Sequence, residues 1–113
     1  GSIVNVASIH AVETEPNVAP YAAAKAAVVS LTRSAAIEGK QRGIRVNAVL
    51  PGAIDTPMLW NNPNVKSGEE KVDRNMVGSA DDVASAIAFL ASDEAKFVQG
   101  AALVVDGGRL DRL

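Results

Sequence analysis

The sequence contains no cysteine and only one histidine, His10, among its 113 residues. The first absence excludes disulfides, thiolate zinc sites and cysteine nucleophiles, and the second argues against a histidine-based metal site, so no metal is expected. A net charge of only -2 provides no basic surface for nucleic acid and no polybasic patch for a membrane. The apolar runs are too short to span a bilayer, and the N-terminus does not resemble a secretory signal. We therefore expect a cytoplasmic protein that binds neither nucleic acid nor membrane.

What the sequence does contain is the composition of one globular domain, covering residues 1–113. Hydrophobic residues make up 48% of the chain and charged residues 21%, which is an ordinary balance for a packed core. The chain opens directly on an apolar strand pattern, Gly1–Val6, without a methionine or a lead-in. This beginning indicates a piece of a longer protein.

Short β-branched runs alternate with two helical segments along the chain. Alanine dominates from Tyr21 to Lys40, which favours a helix that begins at Pro20 and ends at Gly43. Ser79 followed by Asp82 resembles a capping box at the start of a second helix. Between them, residues 52–78 predict a mobile insertion with room for a short helix. The predicted strands are residues 3–7, 44–50 and 101–105.

This order, strand, helix, strand, helix, strand, predicts an α/β fold with a parallel sheet and helices on its faces. The first helix carries a single charge, Lys25, between residues 21 and 32. A helix so apolar around its circumference has to be covered on nearly all sides. In a chain of this size, the cover is expected from a partner subunit or from a further part of the protein.

Tyr21 and Lys25 lie four residues apart, and therefore one above the other on one face of the predicted helix. A lysine ammonium one turn away stabilises a phenolate, so that Tyr21 can give a proton to an alkoxide or take one from an alcohol. Ser8 follows the first strand, where a parallel sheet presents its ligand crevice. Its hydroxyl is placed to hold a substrate oxygen beside Tyr21.

Each of these residues also has a structural interpretation. Tyrosine four residues before lysine is common in helices, and a serine at a strand end usually bonds to the backbone. The catalytic interpretation depends on the set as a whole.

The set lies among five motifs that resemble, in order and spacing, those of the short-chain dehydrogenases/reductases. The resemblance covers residues 1 to about 108, nearly the whole chain. The matching segments are Gly1–Ser8, Tyr21–Lys25, Arg45–Gly52, Ile54–Met58, and Gly100 with Val105–Gly108. Ala7 and Gln99 replace residues common in the family without affecting its chemistry.

The resemblance implies an NAD(P)-dependent oxidoreductase that interconverts an alcohol and a carbonyl of a small molecule. Tyr21 would be the general acid and base, Ser8 would orient the substrate oxygen, and Lys25 would bind the nicotinamide ribose. Asn47 would be a structural hydrogen-bonding residue. The implied cofactor-binding residues are Tyr21, Lys25, Pro51, Gly52, Ile54 and Thr56.

The resemblance also implies what precedes these motifs in the family. No Gly-x-x-x-Gly-x-Gly segment occurs in the chain, so the fold class is the C-terminal portion of a Rossmann-like sheet (β-α-β-α-β) that lacks the N-terminal nucleotide-binding half. By itself the chain is expected to bind NAD or NADP weakly and to be inactive. The exposed strand edge favours a homo-oligomer. The alternative is a non-enzymatic, self-associating remnant or binding module.

Four further predictions concern residues around the site. His10 either contacts the substrate or lies solvated in its loop, and Trp60 either covers the substrate or anchors a short helix. Glu13 and Glu15 are expected to be solvated loop charges. The charged residues between 66 and 74 are expected to form an exposed helical face.

Overall fold

The computed structural model describes residues 1–110, in which three strands form one parallel sheet. The strands are β1 (Ser2–Val6), β2 (Arg45–Pro51) and β3 (Ala102–Val105), and they lie in the order β1-β2-β3. Residues 46–50 of β2 are all buried because β2 has a neighbour on each side and helices against its faces. The predicted α/β class, parallel pairing and three strands are confirmed, with ends that differ by one residue.

The two longer helices are α1 (Ala19–Lys40) and α4 (Ala80–Ala91). Helix α1 starts before Pro20 because proline is tolerated in a first turn, whose N–H groups have no helical partner. Gly43 has a φ of 68°, which lets the chain turn back so that the N–H of Ile44 bonds to the Gly39 carbonyl at 3.0 Å. The predicted C-terminal role of Gly43 is therefore confirmed.

The predicted capping box at the start of α4 is also confirmed. The Ser79 hydroxyl accepts the Asp82 N–H at 3.2 Å, and the Asp82 carboxylate accepts the Ser79 N–H at 2.8 Å.

No helix among residues 1–110 is long and apolar enough to cross a membrane.

The segment between β2 and α4 contains more regular structure than the predicted short helix. It forms α2 (Pro57–Trp60), α3 (Pro63–Ser67) and a 3-10 turn at Arg74–Met76. Gly68 ends α3 in the left-handed conformation at a φ of 82°. We call residues 53–78 the β2–α4 segment.

Among residues 1–110, the side of helix α1 that faces the sheet is covered, and the opposite side is exposed. Thr32, Ala36 and Gly39 are buried on the side of the sheet, whereas Leu31 is 62% and Ile37 is 75% exposed. The cover predicted from the apolar circumference is not supplied by residues 1–110. Cover of this helix by a partner subunit or by a further part of the protein remains a prediction.

Two side-chain amides join β2 to the loop before β3, and one of them also bonds to α1. The Asn47 side chain is fully buried; it donates to the Val98 carbonyl at 3.0 Å and accepts the Ala101 N–H at 2.9 Å. The Gln99 amide donates to the carbonyls of Ala36 and Ile44 and accepts the Val46 N–H at 2.9 Å. The structure thus gives Asn47 the structural role expected from the sequence.

We predict that Asn47→Leu lowers the free energy of unfolding by about 3 kcal/mol, because it leaves a buried carbonyl and a buried N–H without partners. Urea denaturation of the chain measures the change. Asn61→Leu is the matched control, since Asn61 is exposed at the end of α2, and it should change stability by less than about 0.5 kcal/mol. Equal stability of the two variants would contradict the assigned role of Asn47.

Candidate active site

A cavity of about 520 Å³ lies at the carboxyl ends of the strands. Its walls come from the loop after β1, the first turns of α1, the β2–α4 segment, one side of α4 and the turn after β3. In a parallel sheet this edge is where ligands bind, because the loops that follow the strands meet there. The site residues predicted from the sequence that line it are Ser8, His10, Tyr21, Lys25, Pro51, Gly52, Ile54 and Thr56.

Ser8 is held at the point where β1 ends. The Ala7 N–H before it bonds to the Val49 carbonyl at 2.8 Å, which continues the strand pairing up to the cavity. The buried Ser8 hydroxyl caps a 3-10 turn at Ile9–Ala11 and accepts the His10 N–H at 3.1 Å. The capping bond uses the oxygen as an acceptor, so the hydroxyl hydrogen remains to be donated to a bound oxygen.

Tyr21 and Lys25 lie on one face of α1, as their spacing predicts. The Lys25 Nζ is 5.6 Å from the centroid of the Tyr21 ring. It also donates to the Val6 carbonyl at 3.4 Å, which ties α1 to the end of β1. The ammonium therefore lies beside the Tyr21 ring at the cavity, where it can contact a bound molecule together with the phenol.

His10 contacts the catalytic tyrosine candidate directly. The two rings meet edge to face, with centroids 5.6 Å apart and an interplanar angle of 83°. The His10 Nδ1 lies 3.1 Å from the Thr14 hydroxyl. Burial lowers the pKa of His10 below its ordinary value, the charge of Glu70 opposes that shift, and Arg109 adds to it.

The loop after β2 passes close to the turn after β3. The Gly52 N–H bonds to the Val105 carbonyl at 2.9 Å, and a Cβ at position 52 would lie 2.7 Å from the Asp106 Cβ. Asp106 therefore leaves no space for a side chain at position 52. The glycine is required there by the packing of the chain itself. Further along, Ile54 pairs with Gly78, and the Thr56 hydroxyl bonds to the Ile54 carbonyl at 3.3 Å.

Trp60 does not line the cavity. Its indole N–H donates to the Asp55 carboxylate at 2.8 Å, and the Arg74 guanidinium lies 4.6 Å from the ring centroid. Of the two sequence-based alternatives, the structure thus favours an anchor for α2. The cavity wall of this segment is formed by Met58, Leu59 and Asn62 instead.

Sequence reasoning did not predict two charged residues that line the cavity, Glu70 and Arg109. They form an ion pair. The prediction of an exposed helical face at 66–74 is wrong for Glu70, because α3 ends at Ser67 and Glu70 is only 9% exposed. The prediction that Glu15 is a solvated loop charge is also wrong. Its carboxylate accepts the Asn64 side-chain amide at 3.1 Å and is partly buried, whereas Glu13 is exposed as expected.

The chain matches known proteins over nearly its whole length. The family model described as enoyl-(acyl carrier protein) reductase matches residues 1–109. The chain is 45% identical to 3beta-hydroxysteroid dehydrogenase 1 of Eggerthella lenta and 48% identical to cis-4-hydroxycyclohexanecarboxylate dehydrogenase of Sinomonas cyclohexanicum. Each alignment covers 96% of the chain, and 43% and 44% of the two relatives respectively. The chain thus spans somewhat less than half the length of these curated relatives.

Solved structures give the same match. The crystal structure of levodione reductase superimposes with a TM-score of 0.86 at 39% identity, covering all of this chain and 48% of that one. The structure described as ElxO with NADP bound superimposes with a TM-score of 0.81 at 39% identity, covering 98% of this chain and 47% of that one.

We predict that His10, the only histidine, titrates below the ordinary pKa of histidine in an NMR pH titration, because burial disfavours its charged form. Glu70→Gln should lower the pKa further, since it removes the negative charge that supports the imidazolium. Glu13→Gln, in the exposed part of the same loop, should leave it unchanged. A His10 pKa at or above the ordinary value would contradict the described environment.

Proposed function

This chain belongs to the short-chain dehydrogenase/reductase family, and we propose that the protein carrying it is an NAD(P)-dependent oxidoreductase that interconverts an alcohol and a carbonyl. The observation that carries the proposal is the meeting of Ser8, Tyr21 and Lys25 at one cavity. Three residues that are 13 and 4 positions apart in the chain face the same space at the ligand-binding edge of the sheet.

In the proposed reaction the Tyr21 hydroxyl handles the proton of the substrate oxygen. In reduction it donates that proton to the developing alkoxide, and in oxidation the phenolate accepts it from the alcohol. The Lys25 ammonium stabilises the phenolate in either direction. Ser8 donates a hydrogen bond to the same oxygen and so orients the substrate against Tyr21.

The proposed cofactor is NAD or NADP, which supplies or accepts the hydride. The residues that would hold its nicotinamide and ribose are Tyr21, Lys25, Pro51, Gly52, Ile54 and Thr56, and they fit this role because all six line the cavity and include an ammonium and two hydroxyls. The sequence contains no glycine-rich diphosphate cradle. We therefore expect this chain alone to bind the cofactor weakly and to be inactive.

The proposed substrate is a small molecule with an alcohol or ketone group. Apolar side chains form much of the wall beyond the catalytic residues, namely Ile9, Val18, Met58 and Leu59. Such a wall buries the carbon skeleton while the polar end receives the reacting oxygen. His10 lies beside Tyr21 and is proposed to contact the substrate there.

We predict that Tyr21→Phe, introduced into the active protein that contains this chain, lowers kcat by about 10²- to 10⁴-fold, because it removes the proton donor. Absorbance of the reduced nicotinamide measures the rate. Ser30→Ala is the matched control, since it removes an exposed hydroxyl from the same helix, and it should leave kcat unchanged. Activity retained by Tyr21→Phe would contradict the assignment of Tyr21 as the proton donor.

A second candidate function, a self-associating binding module without enzymatic activity, is favoured by the exposed apolar surface. Leu31 and Ile37 lie exposed on α1, and Ile3 and Val6 are about half exposed on β1. The outer edge of β1 has no neighbouring strand among residues 1–110. Phe97, in the loop before β3, adds to this apolar surface because it is 99% exposed.

We predict that the 113-residue chain associates at micromolar concentration, because association buries this surface. Light scattering measures the mass, and Leu31→Glu with Ile37→Glu should shift it toward the monomer. Arg33→Glu is a control on an exposed position of the same helix that already carries charge. A single monomer mass for the unmodified chain would contradict the association.

A cofactor titration tests the non-enzymatic alternative separately. Quenching of NADPH fluorescence at ordinary affinity by this chain would weaken that alternative.

A further inference from the structure

The ion pair between Glu70 and Arg109 forms part of the cavity wall. The Glu70 side chain is 7% exposed and the Arg109 side chain is 28% exposed, so the pair is largely withdrawn from water. Charges in such a place are costly unless each partner compensates the other. The pair is therefore a fixed feature of the wall, and the reaction proposed above does not use it.

The turn after β3 presents Arg109 to the cavity. The Asp106 carboxylate accepts the N–H groups of Gly108 and Leu110, both at 2.8 Å, and the Asp106 carbonyl accepts the Arg109 N–H at 3.3 Å. Gly107 and Gly108 have φ values of 63° and 86°, in the left-handed region that favours glycine. The guanidinium thus comes from a fixed backbone.

The β2–α4 segment presents Glu70 from the other side. The Glu70 N–H bonds to the Asn64 carbonyl at 3.0 Å. The Asn64 side-chain amide donates to the Glu15 carboxylate at 3.1 Å and to the Pro16 carbonyl at 2.8 Å, which fastens this part of the segment to the loop after β1. Glu15 is not among the residues that line the cavity, so Glu70 is the carboxyl of this group that a bound molecule can reach.

The ion pair borders the same space as the proposed catalytic residues. Glu70 raises the pKa of His10 and Arg109 lowers it, so both charges lie near the His10 ring, which packs against Tyr21. Most other residues of the wall are apolar. A polar group on the part of a bound molecule that does not react therefore finds partners at the pair.

The charge balance of the pair decides which polar group suits it. The guanidinium has five N–H donors, of which the pairing uses one, and both carboxylate oxygens accept. The pair can therefore donate to and accept from a neutral group that does both, such as a hydroxyl or a carboxamide. A carboxylate only accepts, has to leave water, and meets an Arg109 charge that Glu70 already balances.

We propose that the Glu70–Arg109 pair is a second recognition site of the cavity, which binds an uncharged hydroxyl or amide group of the substrate and discriminates against a carboxylate. The substrate class is then an alcohol or ketone with a second, neutral polar group on an apolar skeleton. The assignment to a substrate rests on the proposed function, whereas the binding preference does not.

Binding of two non-reacting ring compounds to the 113-residue chain tests the preference. Cyclohexanecarboxamide and cyclohexanecarboxylate have nearly the same shape and differ in charge. The NMR signals of His10, the only histidine, report binding because His10 lines the cavity. Above the ordinary histidine pKa, where the imidazole is neutral, we expect the carboxamide to bind about tenfold more tightly, the effect of one hydrogen bond to a charged group.

Replacing each partner of the pair should change carboxylate binding in opposite directions. Glu70→Gln leaves the Arg109 charge without its balance, so the carboxylate should bind about tenfold more tightly than it does to the unmodified chain. Arg109→Gln leaves the Glu70 charge facing the cavity, so the carboxylate should bind more weakly still. A merely structural ion pair would instead give changes of the same sign in both variants.

Glu69→Gln is the matched control, because it removes an exposed carboxyl from the neighbouring position with the same change in net charge. It should leave the order of the two compounds unchanged. Lys25 also lines the cavity, but it is present in every variant, and its attraction for a carboxylate cancels in the comparison.

Three results would overturn the proposal: tighter binding of the carboxylate than of the carboxamide to the unmodified chain, no binding of either compound, or changes of the same sign in Glu70→Gln and Arg109→Gln. Either variant alone decides the question when the other fails to fold, because an unmoved carboxylate affinity in the folded one contradicts the charge balance.

The same comparison in the active protein uses two cyclohexanols that carry the carboxamide or the carboxylate on the carbon opposite the hydroxyl. Glu70→Gln should lower the ratio of kcat/KM for the amide to kcat/KM for the acid by about tenfold, mostly through KM. Turnover of both alcohols at an unmoved ratio would overturn the recognition site and leave the proposed function standing. The expected binding order without turnover of any alcohol would overturn the proposed function and leave the site standing.

Discussion

The parallel pairing of β1 with β2 and of β2 with β3 brings the carboxyl ends of all three strands to one edge of the sheet. Each strand therefore delivers its following loop to the same place. Ser8 follows β1, Thr56 lies in the segment after β2, and Arg109 lies in the turn after β3. An antiparallel pairing would send one of these loops to the opposite edge and leave the cavity without a wall.

The strand pairing does not by itself set the distances between the side chains of the site. Those distances depend on the position of helix α1. The bond from Lys25 to the Val6 carbonyl holds the first turns of α1 against the end of β1. Lys25 is thereby placed beside Tyr21, and Tyr21 packs its ring edge to face against His10. Preorganisation of this kind is what acid–base catalysis requires, because a donor contributes only within hydrogen-bond reach of the reacting oxygen.

Much of the fold and of the candidate site was predictable because those features depend on short-range patterns. The four-residue spacing of Tyr21 and Lys25 guarantees a shared helical face, and the capping box of Ser79 and Asp82 is a local arrangement. Ser8 could be placed because a strand end is visible in the β-branched run before it. These signals all lie within one element or its boundary.

The parts that could not be predicted depend on contacts between distant segments. Glu70 pairs with Arg109 across 39 positions, and Glu15 meets Asn64 across 49. No periodic pattern marks such partners, so a charge in a polar segment is expected to be solvated. Trp60 illustrates the same limit, since its anchoring partners Asp55 and Arg74 belong to a segment without helical or strand periodicity. Arg109 had one usable signal, its place directly after the turn that closes β3.

The central claim is that Tyr21 and Ser8 together hold the reacting oxygen. A crystal structure of the active protein containing this chain, with oxidised cofactor and a bound alcohol, tests it most directly. We predict that the Tyr21 hydroxyl oxygen and the Ser8 hydroxyl oxygen both lie about 2.6–3.2 Å from the alcohol oxygen. An alcohol oxygen held by other side chains, with the Tyr21 hydroxyl beyond hydrogen-bond reach, would contradict the account.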